Sequence, residues 1–411
     1  MDRPNFKAKI KMKIKTKSQI TLLMIVGLVL FIVVGLLFYL SKLTVKKPAQ
    51  QNVKETQETA IEIQPIKEFV TQCLDKTAKD SLYLLGKQGG YIYTDQGGTL
   101  RRFSNLDEGI FFIKYNKFDV VYNIKKTGLY AQQPYSTFVP SYPWPIFPYR
   151  SANFNSKTFE GIFGISNMPP LNASGGSHSI QTQMETYIDS NLPRCLDFTP
   201  FKDYDIVAEK SKTKIILGSK DLSVKSEIPI KATNAITKES SQLKDFSTNL
   251  NFRLKDFYYY ARELIENDIG NIKFNIRDNK NNKETYNVKV IENVYANDDL
   301  ISVKDSSFLI NSQPFEYIFA RQNRIPALYF IKKSYLEFPK DYLIKKEDLI
   351  QDSELDAEDP DEDKTSITIK ALLSNPNLPT KLDRPYIQFK VEVSDGKFSD
   401  YQIITAAREN E

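Results

Sequence analysis

The chain has 411 residues, more than one hydrophobic core usually organises, so two or more domains are expected. A hydrophobic fraction of 41% and a charged fraction of 26% exclude wholesale disorder. The net charge of +5 is concentrated: residues 1–47 hold ten Lys/Arg against Asp2 alone, while the other 46 basic and 50 acidic residues nearly balance. The basic character therefore belongs to the N-terminus and does not mark a nucleic-acid-binding surface; no nucleic-acid partner is expected.

Residues 1–19 form a basic tail, with Arg3 and Lys7, Lys9, Lys11, Lys13, Lys15 and Lys17. From Ile20 to Leu40 run 21 residues without a charge. At ~1.5 Å per residue such a helix crosses the ~30 Å hydrocarbon core. The run is too long for a secretory h-region and no small-x-small cleavage site follows, so residues 20–40 read as a retained signal anchor held in lipid. Seven flanking cations before the span against three after it (Lys42, Lys46, Lys47) place the N-terminus in the cytoplasm and the mass outside the cell membrane. Gly27 and Gly35 make no GxxxG pair.

Residues 41–62 form a stalk, polar and without period from Pro48 onward. A helix begins at Pro65, with Ile66, Phe69, Val70, Cys73, Leu74, Thr77 and Ala78 on one stripe and Gly86 and Gly89-Gly90 as its stop. Tyr91–Tyr93, 109–115 and Phe118–Tyr122 read as strands. Residues 135–150 are dense in Pro and aromatics, so they make no central strand; they form either a loop folded over the core or a loop that grips a partner. A second helix spans Ser179–Asn191, capped by Ser177 or Ser179 and ended by Pro193. Strands 214–217 and 222–230 form a hairpin, a third helix covers Phe252–Glu266, and strands near 271–277 and 285–292 complete a mixed α/β ectodomain over 63–321.

Cys73 and Cys195 are the only cysteines. Outside the cytoplasm a disulfide clamping the first helix to the second is expected, the alternative being two buried free thiols.

Residues 322–411 change to short alternating strands. Ile387, Phe389, Val391 and Val393 share one face, 394–397 is a turn, and 401–405 returns. The segments DAEDPDEDKTSITI (356–369) and FKVEVSDGKFSDYQIIT (389–405) resemble the cadherin-like or putative immunoglobulin-like repeats of prokaryotic surface proteins, with Glu362 where that family usually has Gly. The resemblance implies a C-terminal β-sandwich. The fold class expected overall is α+β: an N-terminal transmembrane helix, a mixed α/β ectodomain and an Ig/cadherin-like β-sandwich. The larger domain, with CLDKTAKDSLYLLGKQGGYIY and NLPRCLDF, resembles uncharacterised membrane-anchored proteins of archaeal type, a resemblance that brings no activity.

Asp356, Glu358, Asp359, Asp361 and Asp363 crowd hard oxygen ligands into one turn, which suits calcium; a solvated acidic turn is the alternative. Asp395 and Asp400 add ligands only if the fold gathers these turns. His178, the one histidine, has no HExxH or CxxC partner and lies outside any G-x-S-x-G elbow, so it reads as a loop residue and not a catalyst. There is no P-loop or GxGxxG. Asn172 begins the sequon Asn172-Ala173-Ser174, a glycosylation candidate. Without a catalytic constellation, the expectation is a non-enzymatic cell-surface protein that binds, adheres or builds the envelope through a protein or surface-polymer partner. The rivals are an anchored hydrolase using carboxylates and a subunit of an envelope membrane complex.

Overall fold

The computed structural model describes residues 63–101, 112–126, 163–329, 331, 333–372 and 378–409. The tail, the 20–40 span, the stalk and the aromatic segment 135–150 lie outside them. Among the described residues no helix is long and apolar enough to cross a membrane.

The 3.6-residue stripe in the first helix is realised as α1 (Gln64–Lys87), which buries Ile66, Val70, Cys73, Leu74, Thr77 and Ala78 and continues the row with Leu82 and Leu85. Thr77 is tolerated on that face because its hydroxyl donates to the Cys73 carbonyl at 2.8 Å. Phe69 sits at the edge of the stripe, edge-on to Phe198 and Phe201. The helix stops where Gly89 and Gly90 take φ of 70° and 88°; a Cβ on Gly89 would lie 2.9 Å from the Val121 carbonyl oxygen.

Around α1 are two sheets. The first is built from β1 (Phe112–Tyr115), β2 (Phe118–Lys125), β8 (Tyr286–Tyr295), β9 (Asp298–Ile310) and β10 (Gln313–Arg321) in the order β1-β2-β10-β9-β8, with β3 (Ile165–Ser166) beside β2. Only the β2–β10 pair in it is parallel. The second is antiparallel: β6 (Leu222–Asn234) pairs on one side with β4 (Tyr204–Ala208) and β5 (Lys212–Leu217), and on the other with β7 (Ser240–Leu250). Helices α2 (Ile180–Cys195) and α3 (Leu254–Gly270) complete one continuous core with α1 and both sheets. Its centre is aromatic, with Phe252 stacked on Phe308 at 4.5 Å and Phe257 edge-on to Phe315 at 5.1 Å.

Three local expectations need correction. Tyr91–Tyr93 is no strand: the Ile92 N–H goes to the Gln183 side chain at 2.7 Å and the Tyr93 N–H to Gln96 at 3.1 Å, so glutamine amides take the donors a ladder would use. Residues 271–277 are turns, because the Asn271 and Asn275 side chains accept the N–H two residues on, from Lys273 and Arg277. Pro193 does not end the second helix, which runs on through Cys195. Burial of Leu192 and the link at Cys195 hold that last turn in place.

That link is the expected disulfide: Cys73 and Cys195 are joined, with Cα atoms 5.7 Å apart, and tie α1 to α2. The hairpin across 218–221 and the third helix form where their patterns place them.

A second hydrophobic core begins at Leu328 and takes Leu336, Phe338, Ile387, Phe389, Val391, Val393 and Ile404. Its sheet is β12 (Tyr335–Phe338), β18 (Ser399–Arg408), β17 (Tyr386–Ser394) and β15 (Ser366–Ala371), with β12 parallel to β18 and the other pairs antiparallel. Two ribbons, β11 (Ala327–Leu328) with β14 (Ala357–Glu358) and β13 (Leu343–Ile344) with β16 (Thr380–Lys381), and helix α4 (Lys346–Ser353) surround it. Despite two cores, Ile63–Glu411 is one compact unit.

The disulfide closes a loop of 122 residues, so replacing Cys73 and Cys195 with Ser lowers stability by about 2–5 kcal/mol. Urea denaturation of oxidised and Cys-free protein measures the difference.

Candidate functional site

The two cores meet at a buried cluster of charge. The chain leaves β10 at Arg321 and reaches Arg324 before pairing β11 with β14; the acidic turn after β14 then folds back onto the end of β10. Arg321 and Arg324 are 1% and 0% exposed. Arg321 donates to Asp268 of α3 at 3.0 Å, to Asp299 of β9 at 2.8 Å and to the Asp361 carbonyl at 3.1 Å. Arg324 donates from Nε to Asp361 at 2.9 Å and from its Nη groups to the carbonyls of Phe163, Asp268 and Pro360, and its Nη2 forms an ion pair with Asp268 at 2.7 Å. At the rim Arg277 pairs with Glu362 and Glu292. The fork of a guanidinium suits this multidentate work, which the point charge of a lysine would not do. Burial works against both charges, but the carboxylates of Asp268 and Asp361 outweigh it and hold both arginines ionised.

Negative charge exceeds positive on the C-terminal side. Asp359 is buried, and its Oδ1 accepts the N–H groups of Asp361 at 2.8 Å and Asp363 at 3.2 Å. Burial, with Asp361 beside it, pushes the Asp359 carboxyl up to about 7; the same causes raise Asp363 to about 6, with Asp299 and Asp395 contributing. Asn323 donates from its side-chain amide to Asp395 at 3.2 Å and from its backbone N–H to Asp298 at 2.8 Å.

The five carboxylates singled out in the turn are dispersed. Asp361 is held by Arg321 and Arg324, Glu358 pairs with Lys273 at 3.2 Å, Asp356 is exposed, and Asp359 accepts the Asp363 N–H at 3.2 Å. Among the described residues, no group of three or more His, Cys, Asp or Glu is arranged to hold a metal ion. Asp395 does approach the turn, contributing to the raised carboxyl of Asp363. Asp400 does not, accepting instead from the N–H groups of Leu328 and Tyr401 at 2.9 and 2.8 Å. His178 is exposed, with Nδ1 3.0 Å from the Thr99 hydroxyl, and Asn172 is exposed in the loop before α2.

Sequence reasoning passed over Arg321, Arg324, Asp268 and Asp299. A signal was present: the run Arg321-Gln322-Asn323-Arg324 is the opposite-sign counterpart of Asp359–Asp363. Which carboxylates answer it depends on α3 and β9, which are distant in sequence.

An open groove of about 780 Å³ lies between α2 and the second sheet, lined in part by Glu185, Glu227, Asp245, Lys212, Lys214 and Lys225. Glu185 anchors β5 by accepting the Ile215 N–H at 2.9 Å. Lys244 holds Glu227 below the usual carboxylate range. Neither arrangement is that of a proton donor.

No protein-family model matches this chain, and no curated protein matches it in sequence.

Removing one partner of the buried cluster leaves an uncompensated charge, so Asp361→Ala costs about 3–5 kcal/mol. The double change Arg324→Leu with Asp361→Leu costs less than the sum of the single changes; denaturant midpoints of the four proteins give the coupling. A second expectation concerns pH. Asp359 binds its proton more tightly folded than unfolded, so between about 4 and 7 stability falls as pH rises. Asp359→Asn retains an oxygen for the two backbone donors and makes the fall in melting temperature across that window shallower, the raised carboxyl of Asp363 keeping part of it, as read by calorimetry.

Proposed function

We propose that this chain is a non-enzymatic cell-surface protein, anchored by residues 20–40 and carrying a rigid ectodomain that binds or builds in the envelope. The observation that carries this reading is the pairing of Cys73 with Cys195, a bond that persists in oxidising compartments. It agrees with the orientation inferred from the flanking lysines. Joining of the two cores through Arg321 and Arg324 suits a part that keeps its geometry while it displays a surface.

In this proposal the C-terminal module works as a surface-repeat β-sandwich. Support comes from β12 running parallel along β18 at one edge of an otherwise antiparallel sheet, with two short ribbons beside the same core. A hydrolase using carboxylates has less support, because Glu185 and Glu227 in the groove are committed to β5 and Lys244. A subunit role in an envelope complex differs only in the partner, which the same experiment identifies.

Protease treatment of intact cells removes the ectodomain and leaves the N-terminal tail; survival of residues 63–411 would overturn the outside placement. A pull-down from envelope extract with the full chain in detergent recovers a protein or polymer partner. It is run with and without calcium, because the surplus charge at Asp359, Asp363 and Asp395 is relieved by either a proton or a cation.

A further inference from the structure

The outer face of the C-terminal sheet carries two tyrosines that the core does not use. Tyr335 of β12 is 60% exposed and Tyr386 of β17 is 56% exposed. Strand alternation puts them there: Leu336 and Ile387, the residues that follow, point into the core. The cross-strand register arranges the surface between them. Tyr335 stands opposite Thr405, Thr405 opposite Gln388, and the Leu372 N–H reaches the Gln388 carbonyl at 2.9 Å. Two residues along, Glu337, Ala407 and Tyr386 form the next row. The tyrosines are thus two strands and two residues apart, roughly 12 Å by strand spacing and rise.

The patch is flat, aromatic at two points and polar between them. Its charges balance in number: Lys390 pairs with Glu392 and lies 4.2 Å over the Tyr401 ring, while Lys370 of β15 and Glu337 of β12 stand at opposite edges of the sheet. A neutral surface selects against nucleic acid, anionic polymer and an acidic or basic peptide. The exposed apolar residues, Tyr335, Tyr386 and Leu372, offer little apolar surface for the desolvated core of a protein interface. A ligand that is itself flat, uncharged and rich in hydroxyls fits both limits. Its C–H faces lie on the rings, and its hydroxyls meet Gln388, Thr405 and the phenol groups.

We propose that this face binds a neutral polysaccharide chain, with Tyr335 and Tyr386 as stacking platforms and Gln388 and Thr405 supplying hydrogen bonds between them. The proposal rests on the extracytoplasmic binding role above and names its ligand class.

The test is retention of the detergent-solubilised full chain on insoluble β-glucan and on chitin, with heparin–agarose as the anionic control. The unmodified chain is retained on a neutral glycan and released by its soluble oligosaccharide. Tyr335→Ala and Tyr386→Ala each weaken retention about tenfold, and the double variant passes through with an unchanged melting temperature. Phe at both positions keeps most of the binding. The proposal is overturned if the unmodified chain passes both neutral matrices, binds only heparin, or is retained equally by the double variant. Light scattering covers the remaining occupant: self-association abolished by the double variant would give this face to a second copy. Failure here with correct surface topology removes the ligand class and leaves the anchored role standing.

Discussion

Two arginines with almost no contact with water sit where the two hydrophobic cores of this chain meet, and their charge has to be answered from both sides. Arg321 and Arg324 leave β10 together, Asp268 and Asp299 come from the first core, and Asp361 comes from the turn that opens the second. Desolvating these groups is expensive, so such a cluster adds little net stability compared with apolar packing. Its consequence is geometric: only one placement of the 359–363 turn satisfies both forks, and any other leaves a bare charge in a dry site. The two modules therefore share one compact unit, although each buries its own apolar residues.

The rest of the architecture supports that placement. α3 carries Asp268 near its C-terminal end and is held by Phe257 against Phe315 of β10, so the strand that delivers Arg321 and the helix that delivers its partner share a core. The disulfide fixes α1 to α2 on the other side of the same core. With its frame braced at both ends, the chain can leave the outer face of the C-terminal sheet to solvent, and there alternation exposes Tyr335 and Tyr386 instead of burying them.

How much of this was legible depended on whether the signal was local. Ile387, Phe389, Val391 and Val393 announced β17 and its buried face, because period two is written into consecutive residues. The stripe from Ile66 to Ala78 announced α1 in the same way. Asn271–Arg277 misled because Asn side chains compete with a ladder for backbone N–H groups, a contest that composition does not reveal. The carboxylates of the acidic turn were visible, but their fates were not. Asp361 meets two arginines, Asp359 is pressed toward its protonated form, and Asp356 stays in water.

By itself, then, the sequence determined the charge-free run over residues 20–40, the basic residues on either side of it, the amphipathic stripes and the single cysteine pairing available to the chain. These follow from residues adjacent or a few positions apart, where helix and strand periods set the geometry. Only the tertiary structure decided which carboxylates answer Arg321 and Arg324, and that Asp395 but not Asp400 approaches the 359–363 turn. It alone placed Tyr335 and Tyr386 on one open face. Such pairings join positions tens of residues apart, and burial, which decides whether a charge must be matched or can stay solvated, is set by the packing of the whole chain.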